Sequence, residues 1–171
     1  MKYFKSDYFT YIDNQLHCEK VNLTKLADDF NTPLFVYSKN FFIDRYKELD
    51  EAFSAIDHKI YFASKANFNI SVIKTFYELG GGVDVNSAGE FYRAIKAGVN
   101  PKDMLLTGVG KTDEEIRLGL EKGVFVIKAE SIEEVYVINN IAEELGVTAH
   151  IAIRVNPDVD AKTHPYISTG L

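Results

Sequence analysis

Lys65 stands in the string Ile60-Tyr61-Phe62-Ala63-Ser64-Lys65-Ala66-Asn67, directly after a short apolar run with the aromatic content of a strand. A lysine at the C-terminal end of such a strand points its amine into the mouth of the sheet. Partial desolvation there disfavours the ammonium and frees the lone pair for Schiff-base chemistry on a carbonyl. Position alone leaves a second reading open, a lysine whose stem packs while its ammonium snorkels to water. Asp84 ends a second strand-like run, and a helix-entry residue bonded to its own turn would explain it equally well. Glu90 lies three residues after Ser87, the spacing of a capping box, and Arg154 closes a fifth strand-like run, where an ordinary strand-end ion pair would account for it.

Other patterns suggest chemistry and fail on spacing. Gly108-Val109-Gly110-Lys111-Thr112 resembles the end of a P-loop, but the position that needs the first glycine is Leu105, inside an expected strand. Lys111 and Thr112 then read as loop and helix cap. Gly80-Gly81-Gly82 lacks the spacing of a dinucleotide fingerprint and reads as a helix stop before a tight strand entry. His17, His58 and His150 are scattered without metal-ligand spacing, and His164 falls in a polar segment suited to a loop over the mouth of a site. No metal is assigned.

The elements that must position these residues follow a repeat. Short runs rich in β-branched and aromatic residues alternate with segments of helical period, which predicts βα units and a parallel sheet. Strands are expected at residues 59–64, 82–85, 104–107, 124–127 and 149–155. Ser87, Thr112 and Ser131 each precede a glutamate by three residues and are expected to form capping boxes, while Gly80, Gly98, Gly123 and Gly146 fall where a left-handed residue would end a helix. Val135, Ile138, Ala142 and Leu145 form one apolar stripe. Phe42, Tyr46, Leu49, Phe53 and Ile56 form another, on a helix expected to close the bottom of the sheet.

The α/β alternation fits a barrel or an open doubly wound sheet equally well. The placement of Lys65 at a strand end weighs toward the barrel, whose chemistry is built from strand ends and βα loops. Residues 1 to about 37 stand outside the repeat and read as an arm of strand, short helix (Leu23 to Phe30) and strand (Leu34 to Tyr37).

Composition narrows the functional classes. A pI near 5.2 and a net charge of −6 argue against nucleic acid or an anionic membrane as partner. The lone Cys18 has no internal disulfide partner, the first residues show no apolar leader, and no run reaches the length of a membrane span, so a cytoplasmic location is expected.

Tyr61-Phe62-Ala63-Ser64-Lys65-Ala66-Asn67 resembles the cofactor-lysine segment of the pyridoxal-phosphate decarboxylases of the alanine-racemase-like barrel fold, the diaminopimelate decarboxylases most of all. The likeness extends through Thr32-Pro33-Leu34-Phe35-Val36-Tyr37, Gly82-Val83-Asp84-Val85-Asn86-Ser87-Ala88-Gly89-Glu90, Thr107-Gly108-Val109-Gly110-Lys111-Thr112, and Arg154-Val155-Asn156-Pro157-Asp158-Val159-Asp160. It ends with Lys162-Thr163-His164-Pro165-Tyr166-Ile167-Ser168-Thr169-Gly170, the stretch that best separates diaminopimelate decarboxylases from their ornithine and arginine relatives.

The resemblance implies pyridoxal 5'-phosphate bound through a Schiff base to Lys65, and decarboxylation of meso-diaminopimelate to L-lysine. The cofactor would serve as electron sink while the protein supplies orientation and electrostatics. It implies that Asp84 lies near the cofactor, and that Arg154 holds a buried acid such as Glu90 near the ring. It also implies an incomplete eight-stranded barrel of about five βα units at residues 38–171, preceded by the 1–37 arm, whose sheet partner would be a C-terminal β domain. On this reading the chain is an N-terminal portion, inactive alone, of a protein that pairs as a homodimer and takes a small amino-acid substrate. The alternatives are a non-catalytic truncated product or interaction module, and another enzyme of the same barrel, such as a racemase or an ornithine or arginine decarboxylase. An incomplete barrel leaves sheet edges open and is expected to self-associate.

Overall fold

In the arm, β1 (Phe9–Ile12) and β2 (Gln15–Cys18) pair antiparallel with Ile12 opposite Gln15, and β2 pairs antiparallel with β3 (Val21–Asn22). The structure, a computed structural model, describes residues 7–157 together with 159 and 162. The expected loop residues Asp158, Asp160 and His164, with the rest of 163–170, lie outside the described residues. Asp13 and Asn14 form the two-residue turn between β1 and β2 with φ of 49° and 62°, the left-handed pair that a tight hairpin requires. The alternation of Tyr8, Thr10 and Ile12 therefore marks the first strand of a meander, where a single strand was expected.

Helix α1 (Leu23–Phe30) forms where the amphipathic patch predicts it, capped by Asn22, whose side chain accepts from the Lys25 amide at 3.1 Å. The expected strand at Leu34 to Tyr37 does not form. The run has strand composition but no ladder partner among the described residues, and Phe35 is 83% exposed.

Helix α2 (Lys39–Ala52) begins at the buried cap Ser38, which donates to Glu19 Oε1 at 2.6 Å. The Asn40 amide and side-chain nitrogen also donate to Glu19, at 3.2 and 2.8 Å. These bonds, led by that from Ser38, hold the Glu19 carboxyl below its ordinary range. Only the first half of the α2 stripe is used. Phe42 and Tyr46 meet Phe76 at ring-centroid distances of 5.6 and 6.3 Å, and Tyr46 reaches Gly81 just ahead of the next strand. Leu49, Phe53 and Ile56 stay exposed, so the full bottom closure expected of this stripe is not formed among the described residues.

Five parallel strands follow: β4 (Tyr61–Ala63), β5 (Gly82–Val85), β6 (Met104–Leu106), β7 (Val126–Ala129) and β8 (Ile151–Ile153), hydrogen-bonded in that same order. Between them run α3 (Ile70–Glu78), α4 (Ala88–Lys96), α5 (Asp113–Lys122) and α6 (Ile132–Leu145). Val83, Val85, Met104, Leu106, Ile127 and Ala129 are all buried in one core with Ile73, Phe91, Ile116 and Ile138 from the helices. The alternate residues Asp84, Leu105, Val126 and Lys128 are only half-buried and lie on the opposite face of the strands. A doubly wound sheet reverses its strand order at a switch point and carries helices on both faces. Sequential order with one helix-packed face is instead the arc of a βα barrel, and this decides between the two architectures the sequence left open.

Strand boundaries differ from expectation: β4 and β8 are shorter at both ends than the expected 59–64 and 149–155, and β7 is shifted where a helix end claims residues. Val124 donates its amide to the Gly119 carbonyl at 3.0 Å and closes the end of α5, so β7 starts two residues later than expected and runs on to Ala129. At Gly82 a Cβ would lie 2.3 Å from the Tyr61 ring and 2.7 Å from the Asp103 carbonyl, which is why this strand entry is glycine.

Candidate active site

All five parallel strands end at one edge of the sheet, so Lys65, Asn86, Thr107, Glu130 and Arg154, each just past a strand, share the C-terminal rim. Lys65 occupies a 3-10 turn, Ser64–Ala66, that breaks out of β4. Its side chain is exposed and has no hydrogen-bond or ion-pair partner among the described residues. The desolvation expected of it is thus not supplied by these residues; what they supply is an amine that no carboxylate engages.

Ser64, the preceding residue, is fully buried, with its Oγ 2.9 Å from the Asp84 carbonyl oxygen and 2.5 Å from Glu90 Oε2. Glu90 Oε2 also accepts from the Asn86 amide at 2.9 Å and from Asn86 Nδ2 at 3.3 Å. Ser87 caps α4 by accepting from the Glu90 amide at 3.2 Å, but the carboxylate reaches one residue past the cap, to Asn86. The reciprocal capping box expected there is therefore only half made. The same holds at Ser131, where Glu134 accepts from the Glu130 amide at 2.7 Å; only Thr112 and Glu115 complete the box.

Displaced or not, the glutamate three residues after each cap does a second job: it ties its helix to the preceding βα unit. Glu90 of α4 meets Ser64, Glu115 of α5 accepts from the Ala88 amide at 2.9 Å, and Glu134 of α6 pairs with Lys111 at 3.0 Å. The Lys111 side chain is 1% exposed and also donates to the carbonyls of Gly108 and Lys128, both at 2.7 Å. The residue that mimicked a P-loop lysine is a buried fastener of the rim.

Asp84 is not bonded to its own turn. Its Oδ1 accepts from Thr107 Oγ1, and its Oδ2 lies 3.6 Å from Lys128 Nζ, so it joins β5, the end of β6 and β7 across the face opposite the helices. Arg154 does not meet Glu90. Its amide bonds the Ala129 carbonyl at 2.9 Å and its guanidinium pairs with Glu130 Oε2 at 3.0 Å, because Glu130 ends the neighbouring strand while Glu90 belongs two strands further round and is already held by Ser64 and Asn86. Glu130 Oε1 is buried without a partner among the described residues.

Of the four residues that the sequence singles out, Asp84 and Glu90 come together through Ser64 directly beneath Lys65, while Arg154 stands apart on Glu130. Ser64, Thr107, Lys128 and the buried role of Lys111 were not among the expectations. Strand parity held one signal: Lys128 sits two residues from Val126 in an apolar run, which sends its side chain to the face away from the helices. An unpaired amine on the rim of a βα barrel fits an aldehyde-bearing cofactor, and the fit concerns that one functional group.

Residues 40–171 match the family described as pyridoxal-dependent decarboxylase, pyridoxal binding domain, and the chain belongs to that family, whose cofactor is pyridoxal 5'-phosphate. It is 48% identical over 164 residues to the diaminopimelate decarboxylase of Aquifex aeolicus, an alignment that covers 96% of this chain and 39% of that protein. The crystal structure of a diaminopimelate decarboxylase from M. jannaschii superposes with a TM-score of 0.86 at 37% identity, covering 96% of this chain and 39% of that one. The Helicobacter pylori enzyme, crystallised with L-lysine, gives a TM-score of 0.82 at 40% identity, covering 88% and 38%. The chain thus spans about two fifths of the length of the relatives it matches. Among the described residues, no helix is long and apolar enough to cross a membrane.

Proposed function

We propose that the chain forms the lysine-bearing amino-terminal part of a diaminopimelate decarboxylase, which converts meso-2,6-diaminopimelate to L-lysine and carbon dioxide. One observation carries this reading: the identity of 48% to a diaminopimelate decarboxylase runs through a rim on which Lys65 is free of partners among the described residues while Lys111 and Lys128 are engaged. Bound at Lys65, the cofactor would supply an electron sink for loss of the carboxyl group. Lys65 is the residue that holds it. Asp84, fixed by Thr107 and Lys128, presents a carboxylate beside that position, Glu90 holds the turn carrying the lysine, and Arg154 with Glu130 forms the far side of the rim.

Residues 1–37 act as an arm and 38–171 as part of the barrel, with the arm's sheet partner in a C-terminal β domain. Residues 1–171 do not decarboxylate on their own; the active protein is a cytoplasmic homodimer that acts on a small amino acid and binds no nucleic acid. The test is carbon dioxide release by the full-length protein offered meso-diaminopimelate, L-ornithine and L-arginine separately. Release from the first alone, lost in Lys65→Ala, supports the reading. Comparable release from ornithine or arginine overturns the substrate assignment.

A further inference from the structure

We propose that Ser64 is the positioning residue for Lys65, acting through Glu90; the inference rests on the reading of Lys65 as the cofactor lysine. Lys65 has no partner of its own among the described residues, so the direction of its flexible stem is set by the backbone turn that carries it. That turn is closed on its far side by the Asn67 amide, which donates to the Ser64 carbonyl at 3.1 Å. On its near side it is fastened by the Ser64 side chain, which is completely buried at the point where β4, β5 and the start of α4 converge. The hydroxyl bridges the Asp84 carbonyl at 2.9 Å and Glu90 Oε2 at 2.5 Å. Glu90 Oε2 is itself fixed by the Asn86 amide at 2.9 Å, so the anchor is the loop after β5 and not another mobile side chain.

Removing the hydroxyl leaves Lys65 chemically intact and leaves the strand in place, but frees the turn to swing. A misplacement of this kind typically costs a factor of about ten to a hundred in the rate of a step that depends on orientation. Ser64 touches neither cofactor nor substrate; it acts on the angle at which the lysine leaves the sheet.

The full chain, freed of cofactor, is exposed briefly to pyridoxal 5'-phosphate and quenched with borohydride. The amine condenses with the aldehyde with loss of one water, and hydride from the borohydride reduces the product to a secondary amine that peptide mass spectrometry locates. Lys96, exposed at the end of α4, serves as the internal reference. Ser64→Ala is expected to lower the ratio of Lys65 to Lys96 labelling about tenfold with the circular dichroism unchanged, and Ser64→Ala with Glu90→Ala to lower it no further, because both act through one tie. An unchanged ratio in folded Ser64→Ala overturns the proposal, as does an equal loss at both lysines. If Ser64→Ala does not fold, the near-isosteric Ser64→Cys is read by the same criteria, and failure of both to fold also overturns it. Wild-type protein showing no preference for Lys65 overturns the cofactor-lysine reading itself, which a normal wild-type ratio with an unchanged variant does not.

Discussion

Lys111 Nζ lies 3.0 Å from Glu134 Oε1 with the lysine side chain 1% exposed, and this pair fastens the loop after β6 to the start of α6. Two further hydrogen bonds to the carbonyls of Gly108 and Lys128 satisfy the remaining ammonium protons. Breaking such a pair leaves an uncompensated buried charge. Lys111→Met is expected to destabilise the protein by about 3 kcal/mol or more, and Lys111→Met with Glu134→Leu to be more stable than Lys111→Met alone. Urea unfolding of the three proteins checks this; a Lys111→Met variant of wild-type stability contradicts it.

Gly82 is fixed by close approach. A methyl group there meets the Tyr61 ring at 2.3 Å and the Asp103 carbonyl at 2.7 Å. Gly82→Ala is expected to cost about 2 kcal/mol, and adding Tyr61→Ala to relieve little of it, because the ring can move and the backbone carbonyl cannot. Thermal melts of the single and double variants separate the two contributions: full rescue by the second substitution would place the clash on the ring alone.

Much of this architecture was legible in the sequence, because it depends on local chemistry. The strand Gly82–Val85, the caps at Ser87, Thr112 and Ser131, and the left-handed helix ends at Gly98, Gly123 and Gly146 all need only their immediate neighbours. Leu34 to Tyr37 had the composition of a strand, but composition cannot supply a pairing partner. The hairpin at Asp13 and Asn14 was readable from its turn residues and was masked by alternation that ran up to it. The ties of the rim were not readable at all. Ser64 meets Glu90 across 26 positions, Asp84 meets Thr107 across 23, and Lys111 reaches the Lys128 carbonyl across 17, so only the sequential pairing of the parallel strands brings them together. That is also why Arg154 was assigned to Glu90 and is found on Glu130, the neighbour that strand order dictates.

Lys59 and Asp103 pair at the opposite, N-terminal edge of the sheet, and Tyr77 donates to the same carboxylate at 3.1 Å. The bond from Lys59, ahead of that from Tyr77, draws the Asp103 carboxyl below its ordinary value. A depressed carboxyl pKa contributes stability above the unfolded-state value and loses it as pH falls through the folded one. Both groups are partly exposed, so the contribution is about 1 kcal/mol at most. Asp103→Asn should therefore cost up to about 1 kcal/mol at about pH 7 and flatten the fall in thermal stability below about pH 4, where the variant converges on wild type. An unaltered acid limb in the variant would show that the pair does not act on folding.

β4 and β8 are the outer strands of the described parallel sheet, and Ile151 and Ile153 on β8 are 40% and 59% exposed. Unpaired strand edges with exposed apolar side chains recruit other chains. Produced as these 171 residues alone, the protein should elute from size-exclusion chromatography as concentration-dependent oligomers. Ile153→Lys is expected to reduce this association without loss of helical signal. A monomer at all concentrations would contradict the edge argument.

Lys65 as the amine that holds the cofactor is the claim on which the proposed function depends. Its most direct test is the visible absorbance of the full-length protein mixed with pyridoxal 5'-phosphate, followed by borohydride reduction and peptide mapping, for wild type and Lys65→Ala side by side. The Schiff-base band should form with wild type and be absent from the variant, with the reduced adduct on the peptide containing Lys65. The same band and a comparable adduct on Lys128 or another lysine in Lys65→Ala would contradict it.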